Sequence, residues 1–215
     1  MTYRLAIFDF DGTLADSFPW FVGVFNQVAD RHGFSRIHPQ DLDSLRTQGA
    51  RQIMARLGIP RWKLPLVARS FTRLMKQQRS AIQLFDGIAA TLAELDRQGV
   101  ILAVVSSNSR ENVTHVLGPC CRHIRALECG ASIFGKASRL NRVMRQFGVT
   151  RDETIYVGDQ PMDGEAAASA GIAFGAVAWG YGAPEAFSSL GQHRWFASIG
   201  QLQQLAQPRG EPVTG

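Results

Sequence analysis

A three-layer α/β fold, in which a parallel sheet carries helices on both faces, is the class this sequence predicts, and three observations predict it. Short apolar runs that end in polar or glycine residues recur at Arg4 to Phe8, Val100 to Val105, Thr154 to Val157 and Ala173 to Ala178. Helical patterns separate them. The runs are largely apolar rather than strictly alternating, which is what a parallel sheet covered on both faces demands. In such a sheet, polar groups at the carboxyl ends of the strands form the ligand crevice.

Each element follows from its own spacing. Ile88, Leu92 and Leu95 lie on one helical face ahead of the second run, and Val113, Val116 and Leu117 lie on another after it. Leu140, Val143, Met144 and Phe147 precede the third run in the same way. From Asp16 to Leu84 the alternation stops. There, Phe18, Phe21, Val22, Phe25, Val28 and Ala29 fit one helix face and Val67, Phe71, Leu74 and Met75 fit another, with no strand expected. A helical insert between the first strand and the helix feeding the second belongs over the carboxyl edge of the sheet, as a cap. The expected organisation is a core of residues 1–15 and 85–206, a cap of residues 16–84, and a loose tail, QPRGEPVTG, at 207–215.

With 215 residues, 45% of them hydrophobic, the chain can bury one full core and a small second one. No apolar stretch is long enough to span a membrane, so a soluble, cytoplasmic protein with no membrane partner is expected. Cys120, Cys121 and Cys129 are odd in number and lack zinc-ligand spacing, which fits free thiols in a reducing compartment. The formal charge is +5, but it is regional: eleven Lys and Arg face two acids between Arg31 and Arg79, an excess of +9 that leaves −4 for the rest. That segment either attracts a phosphorylated substrate or is a solvated helix face. No nucleic-acid motif accompanies it, and no nucleic-acid partner is expected.

The chemistry concentrates in two acid pairs. In IFDFDGTLADS, Asp9 and Asp11 follow the first strand two positions apart, so an extended backbone points both side chains the same way. In VGDQPMDGEAA, Asp159 and Asp163 follow the third strand with a spacing that brings both to one side of a turn entering a helix. Parallel topology places all four at one edge. Close carboxylates repel unless a cation or shared proton compensates them. An oxygen-only cluster without His or Cys suits Mg²⁺. Ser106, Ser107 and Asn108 end the second strand near a helix start, where hydroxyl and backbone N–H groups can meet a phosphate. Lys136, entering the next helix, can neutralise both a carboxylate and a phosphate oxygen. Trp179 and Tyr181 are expected to be packing residues, and His115, His123 and His193 receive no role.

The order DFDGT, strand-ending Ser, helix-leading Lys and GDxxxD resembles the haloacid dehalogenase superfamily of phosphohydrolases, over nearly the whole chain. DFDGTLADS and YVGDQPMDGEAAASAG match most closely, and VVSSNS and FGKASRL acceptably. AVAWGYG and the position of the insert are similar to the phosphoglycolate-phosphatase-like branch, with its Rossmann-like core and small helical cap. The resemblance implies Asp9 as nucleophile forming an aspartyl-phosphate, and Asp11 as general acid and then base, its carbonyl also on Mg²⁺. It implies Asp159 as a direct metal ligand, with Asp163 as a further ligand or one step behind. Ser106 and Lys136 would hold the phosphoryl group, with Ser107 as a weaker candidate, and Gly12 would allow a tight turn close to it.

Hydrolysis of a small organic phosphate monoester is therefore expected, with phosphoglycolate the first named substrate. A phosphomutase of the β-phosphoglucomutase type and a catalytically inactive binding or regulatory protein are the alternatives. Arg46, Gln48 and Arg51, in RTQGAR, and Trp20 are the candidates for contacts to the leaving group. Oligomeric state is not legible.

Overall fold

The computed structural model describes residues 3–42, 44, 54–130, 135–188, 190–191 and 193–206. Six parallel strands form one sheet in the order β5-β4-β1-β6-β7-β8. They are β1 (Leu5–Phe8), β4 (Ile101–Val105), β5 (Ile124–Glu128), β6 (Thr154–Gly158), β7 (Ala173–Val177) and β8 (Arg194–Phe196). The chain builds outward from β1 on one side through β4 and β5, then returns to build β6, β7 and β8 on the other. A reversal of this kind opens a crevice at the carboxyl end of the central strand.

The buried strands show why a nearly continuous apolar run was needed. Ala6, Phe8, Leu102, Val104, Ile155 and Val157 enter one core layer. Leu5, Ile7, Ala103, Val105 and Tyr156 enter the opposite one. The first layer is covered by the helices α3 (Ile88–Arg97) and α4 (Arg110–Leu117) and by the 3₁₀ segment Ile199–Ala206. The second is covered by α5 (Lys136–Phe147) and α6 (Pro161–Ala170).

Two sheet strands were not expected from sequence. β5, IRALE, is an edge strand with charged residues inside it, and β8, RWF, has three residues, so neither carries a readable period. The segment read as strand-free also begins and ends in strand. β2 (Ala15–Asp16) and β3 (Gln83–Leu84) pair antiparallel, Ala15 opposite Leu84, and two residues are too few to show alternation.

Between them lie α1 (Phe18–His32) and α2 (Leu64–Gln77), the two helices expected there. The buried face of α1 is rotated from the expected one to include Trp20 and Val24. Phe25, Ala29, Ile37 and Leu57 form a separate cluster, bordered by Phe21, Phe34 and Phe71. Its rings pack closely: Phe21 and Phe71 stack at 5.0 Å between centroids, and Phe25 meets Phe21 edge-on at 5.4 Å. Residues 207–215, read as a tail, fall outside the described residues.

Candidate active site

The register of the sheet assembles the site. Phe8 lies opposite Val104 of β4 and Val157 of β6, so the next residues of the three strands emerge side by side at the carboxyl edge. Adjacent strands lie about 4.8 Å apart, so Asp9 emerges level with Val105 and Gly158, and Ser106 and Asp159 follow one position further along on either side of it. Asp9 is fixed there by its backbone N–H, which donates to Val157 O at 2.8 Å.

After Asp9 the chain turns within one tight loop. Phe10 O accepts from the N–H groups of Leu14 and Ala15 at 2.9 Å, and Gly12 N–H donates to Ala15 O at 2.9 Å. Gly12 has φ +79°, and a β-carbon on it would meet Asp159 Cγ at 2.7 Å. Only glycine satisfies both the backbone sign and the close approach.

Lys136, buried at the start of α5, sits between two acids. Its ammonium lies 2.9 Å from Asp9 Oδ1 and 2.7 Å from Asp163 Oδ1. Burial opposes that charge, but the carboxylates of Asp163 and Asp9 hold it well above the ordinary lysine range. Tyr156 also donates to Asp163 Oδ1 at 3.1 Å, while Asp163 Oδ2 accepts from Gln160 N–H at 3.1 Å as part of a capping box on α6.

Asp159 is fully buried. Its Oδ1 accepts from Thr13 Oγ1 at 3.2 Å and its Oδ2 from the backbone N–H of Tyr181 at 2.8 Å. Burial, then the charges of Asp163 and Asp9, push its carboxyl well above the usual range. Burial likewise pushes Asp9 up to about 7, despite Lys136. Asp9, Asp159 and Asp163 offer oxygens that all lie within 4.8 Å of one another. With Asp11 close by, four carboxylates share this edge with one ammonium. A surplus of buried negative charge with oxygen donors only is the donor set that a small hard cation such as Mg²⁺ takes.

Asp11 is only partly buried and faces differently. Ser17 Oγ donates to its Oδ1 at 2.8 Å, and Asn108 Nδ2 donates to its Oδ2 at 3.1 Å. Burial raises its pKa, opposed by these hydrogen bonds. Ser106 is buried, its Oγ accepting from Asn108 N–H at 3.0 Å, whereas Ser107 is exposed.

Tyr181 packs as expected, its ring 5.0 Å from that of Phe18 between centroids, but it also does more. Besides its N–H to Asp159, its hydroxyl meets Ser17 Oγ; because Ser17 donates to Asp11, Tyr181 is the donor in that contact. Gly180 and Gly182 bring this loop in, and a β-carbon at Gly180 would lie 2.7 Å from Gly12 O. The GYG triplet after the fourth predicted strand was the available signal, because the end of every parallel strand faces the same crevice.

Trp179 donates from Nε1 to Thr13 O at 3.0 Å, bracing the Gly12 loop from behind. The expectation for Trp20 is corrected: it is buried, with Nε1 donating to Gln78 Oε1 at 3.1 Å and its ring against Phe71. Its indole serves helix packing. Arg46, Gln48 and Arg51 lie outside the described residues.

The haloacid dehalogenase-like hydrolase family model matches residues 6–177, from the first strand through the GDxxxD helix to β7. The chain belongs to that family. A phosphoglycolate phosphatase from Synechococcus elongatus is 35% identical over 179 residues, covering 81% of this chain and 84% of that protein. An N-acetylmuramic acid 6-phosphate phosphatase from Pseudomonas aeruginosa is 27% identical over 196 residues, 86% of each chain. A haloacid dehalogenase-like hydrolase of Streptococcus pneumoniae shares the fold, with TM-score 0.73 at 18% identity over 90% of this chain and 92% of that one. Among the described residues, no helix is long and apolar enough to cross a membrane.

Proposed function

We propose that this family member is a Mg²⁺-dependent phosphatase that hydrolyses a small organic phosphate monoester through an aspartyl-phosphate on Asp9. The observation that carries the reading is the Lys136 ammonium bridging Asp9 and Asp163, beside Asp159, at the carboxyl edge of the sheet. A carboxylate held against a buried ammonium is restrained in orientation, and the same ammonium offsets charge on an entering phosphoryl group.

Asp9 and Asp159 would hold the ion, with the Asp11 carbonyl; Asp163, whose oxygens already serve Lys136, Tyr156 and Gln160, would complete the site from one side. Bound there, Mg²⁺ supplies neutralisation of the phosphate oxygens.

The protein's own groups account for the proton and phosphoryl movements. An Asp9 oxygen forms the bond to phosphorus as the bond to the leaving oxygen breaks, and Asp11 gives that oxygen its proton. Water then attacks phosphorus, Asp11 takes the proton, and the Asp9–phosphorus bond breaks to release phosphate. Ser106 and Lys136 hold the phosphoryl oxygens throughout, with Ser107 exposed at the rim. The segment 16–84 acts as a cap over this edge, and Arg46, Gln48 and Arg51 within it select the leaving group. The named phosphatase relatives support phosphoglycolate as the first natural ester to test.

The deciding experiment is release of p-nitrophenol from p-nitrophenyl phosphate by the purified protein, with Mg²⁺, with EDTA, and with Asp9→Asn. Release that EDTA and Asp9→Asn each abolish supports the reading. Release that survives Asp9→Asn removes the covalent step, and no release at any Mg²⁺ concentration removes the phosphatase assignment.

A further inference from the structure

Asn112 lies on the buried side of α4, fully excluded from solvent among Val113 and Leu117, where an apolar residue would be the ordinary choice. Its amide orientation, and that of Asn108, follow from a donor that cannot invert. Ser109 N–H donates to Asn108 Oδ1 at 2.8 Å, so Asn108 Nδ2 must face the other way. That nitrogen reaches Asp11 Oδ2 at 3.1 Å, Asp11 Oδ1 at 3.4 Å and Met75 Sδ of α2 at 2.8 Å. Asn112 Nδ2 then donates to Asn108 Oδ1 at 3.1 Å and lies 3.5 Å from Thr72 O, again on α2. The remaining Asn112 Oδ1 is buried without a hydrogen-bond partner among the described residues.

A buried amide that leaves one of its own atoms unsatisfied is unfavourable unless its other half does something that an apolar side chain cannot. Here that half locks the rotation of Asn108, whose nitrogen donates to Asp11 beside the Ser17 hydroxyl. Both asparagines also touch α2, through Met75 and the Thr72 carbonyl, and Lys76 of α2 pairs with Glu111 of α4 at 3.0 Å on the surface. Seating of α2 on α4 and orientation of the Asp11 carboxyl therefore share one hydrogen-bond chain.

We propose that Asn108 and Asn112 are positioning residues that tie the orientation of the Asp11 carboxyl to the docking of helix Leu64–Gln77 on the core. The inference rests on Asp11 being the proton donor to the leaving oxygen. A misplaced donor slows departure of a poor leaving group more than of a good one, whereas a general loss of structure slows both alike.

The test compares phenyl phosphate with p-nitrophenyl phosphate, esters of similar shape whose leaving groups differ in their need for a proton. Asn108→Ala and Asn112→Leu are measured beside wild type and Asp11→Asn, with Asn112→Ser replacing Asn112→Leu if the latter does not fold. The expected result is a kcat on phenyl phosphate that falls about tenfold more than on p-nitrophenyl phosphate in both asparagine variants, with little change in KM. Asp11→Asn should show the same discrimination more strongly. Equal losses on the two esters, or none, with Asp11→Asn discriminating, overturn the positioning role. If Asp11→Asn does not discriminate, the proton-donor assignment falls, and this inference with it.

Discussion

The carboxyl edge of the sheet and the helical segment between β2 and β3 are stabilised by opposite kinds of contact. At the sheet edge, Asp9, Asp159, Asp163 and Lys136 are buried charges, each held by named partners at fixed geometry. In the helical segment, Phe21, Phe25, Phe34 and Phe71 form a cluster of ring contacts. Directional bonds between charges fix atoms to positions and fail abruptly when one partner is lost. Apolar packing is less directional and yields gradually when volume is removed. A substitution at the edge should therefore strike chemistry first, and one among the rings should strike stability first.

The largest expected effect comes from Lys136→Met. It removes the ammonium that bridges Asp9 and Asp163, and kcat should fall about 10²–10³-fold. In EDTA the protein should also lose about 3–5 kcal/mol, because two buried carboxylates lose their partner. A urea melt and an initial-rate assay read both, and unchanged stability would show that charge pairing does not hold this region together.

Gly180→Ala comes next. Its new β-carbon would crowd Gly12 O and the Asp159 side chain, costing about 1–3 kcal/mol of overpacking. The Mg²⁺ concentration giving half-maximal rate should rise roughly tenfold, about 1.4 kcal/mol of binding; a Mg²⁺ titration at saturating substrate checks this.

Phe71→Ala, at a ring that is itself only half-buried, should cost about 2 kcal/mol, below the range for a fully buried ring. The rate on p-nitrophenyl phosphate should stay within about twofold, since hydrolysis of this small ester draws little on the cap. A rate loss as large as that of Lys136→Met would dissolve the contrast between the regions.

A further test is the pH dependence of stability in EDTA. Asp9 has a folded pKa of about 7 against an ordinary 3.8, chiefly through burial, so the folded state binds the extra proton between those values. Stability should therefore rise as pH falls from 7.5 to 5, and the cost of the buried charge should be complete above the folded value. Saturating Mg²⁺ should remove that rise, because the ion takes the place of the proton. Thermal melts at the two pH values, with and without Mg²⁺, measure it; a rise that persists in Mg²⁺ would place the titrating group away from the metal site.

Legibility from sequence tracked the length and purity of each pattern. β1, β4, β6 and β7 were readable because buried parallel strands need uninterrupted apolar runs, and the acid pairs because they sit just past two of those runs. β5 and β8 were not, since an edge strand tolerates charge and a three-residue strand has no period. The packing of Trp20 and the polar contacts of Tyr181, whose ring does pack on Phe18, were not legible. Nothing in one dimension distinguishes an aromatic residue packed edge-on in a helix pair from one whose backbone N–H donates to a buried carboxylate.

The sequence by itself determined β1, β4, β6 and β7 of the sheet, the family and the four carboxylates, because strand period and motif spacing are local properties of the chain. Only the tertiary structure decided that Lys136 bridges Asp9 and Asp163, that Tyr181 reaches both Asp159 and Ser17, and that Asn108 and Asn112 link Asp11 to α2. These contacts join residues far apart in the chain, and their partners are chosen by strand order, register and side-chain direction, which exist only once the sheet has closed its crevice.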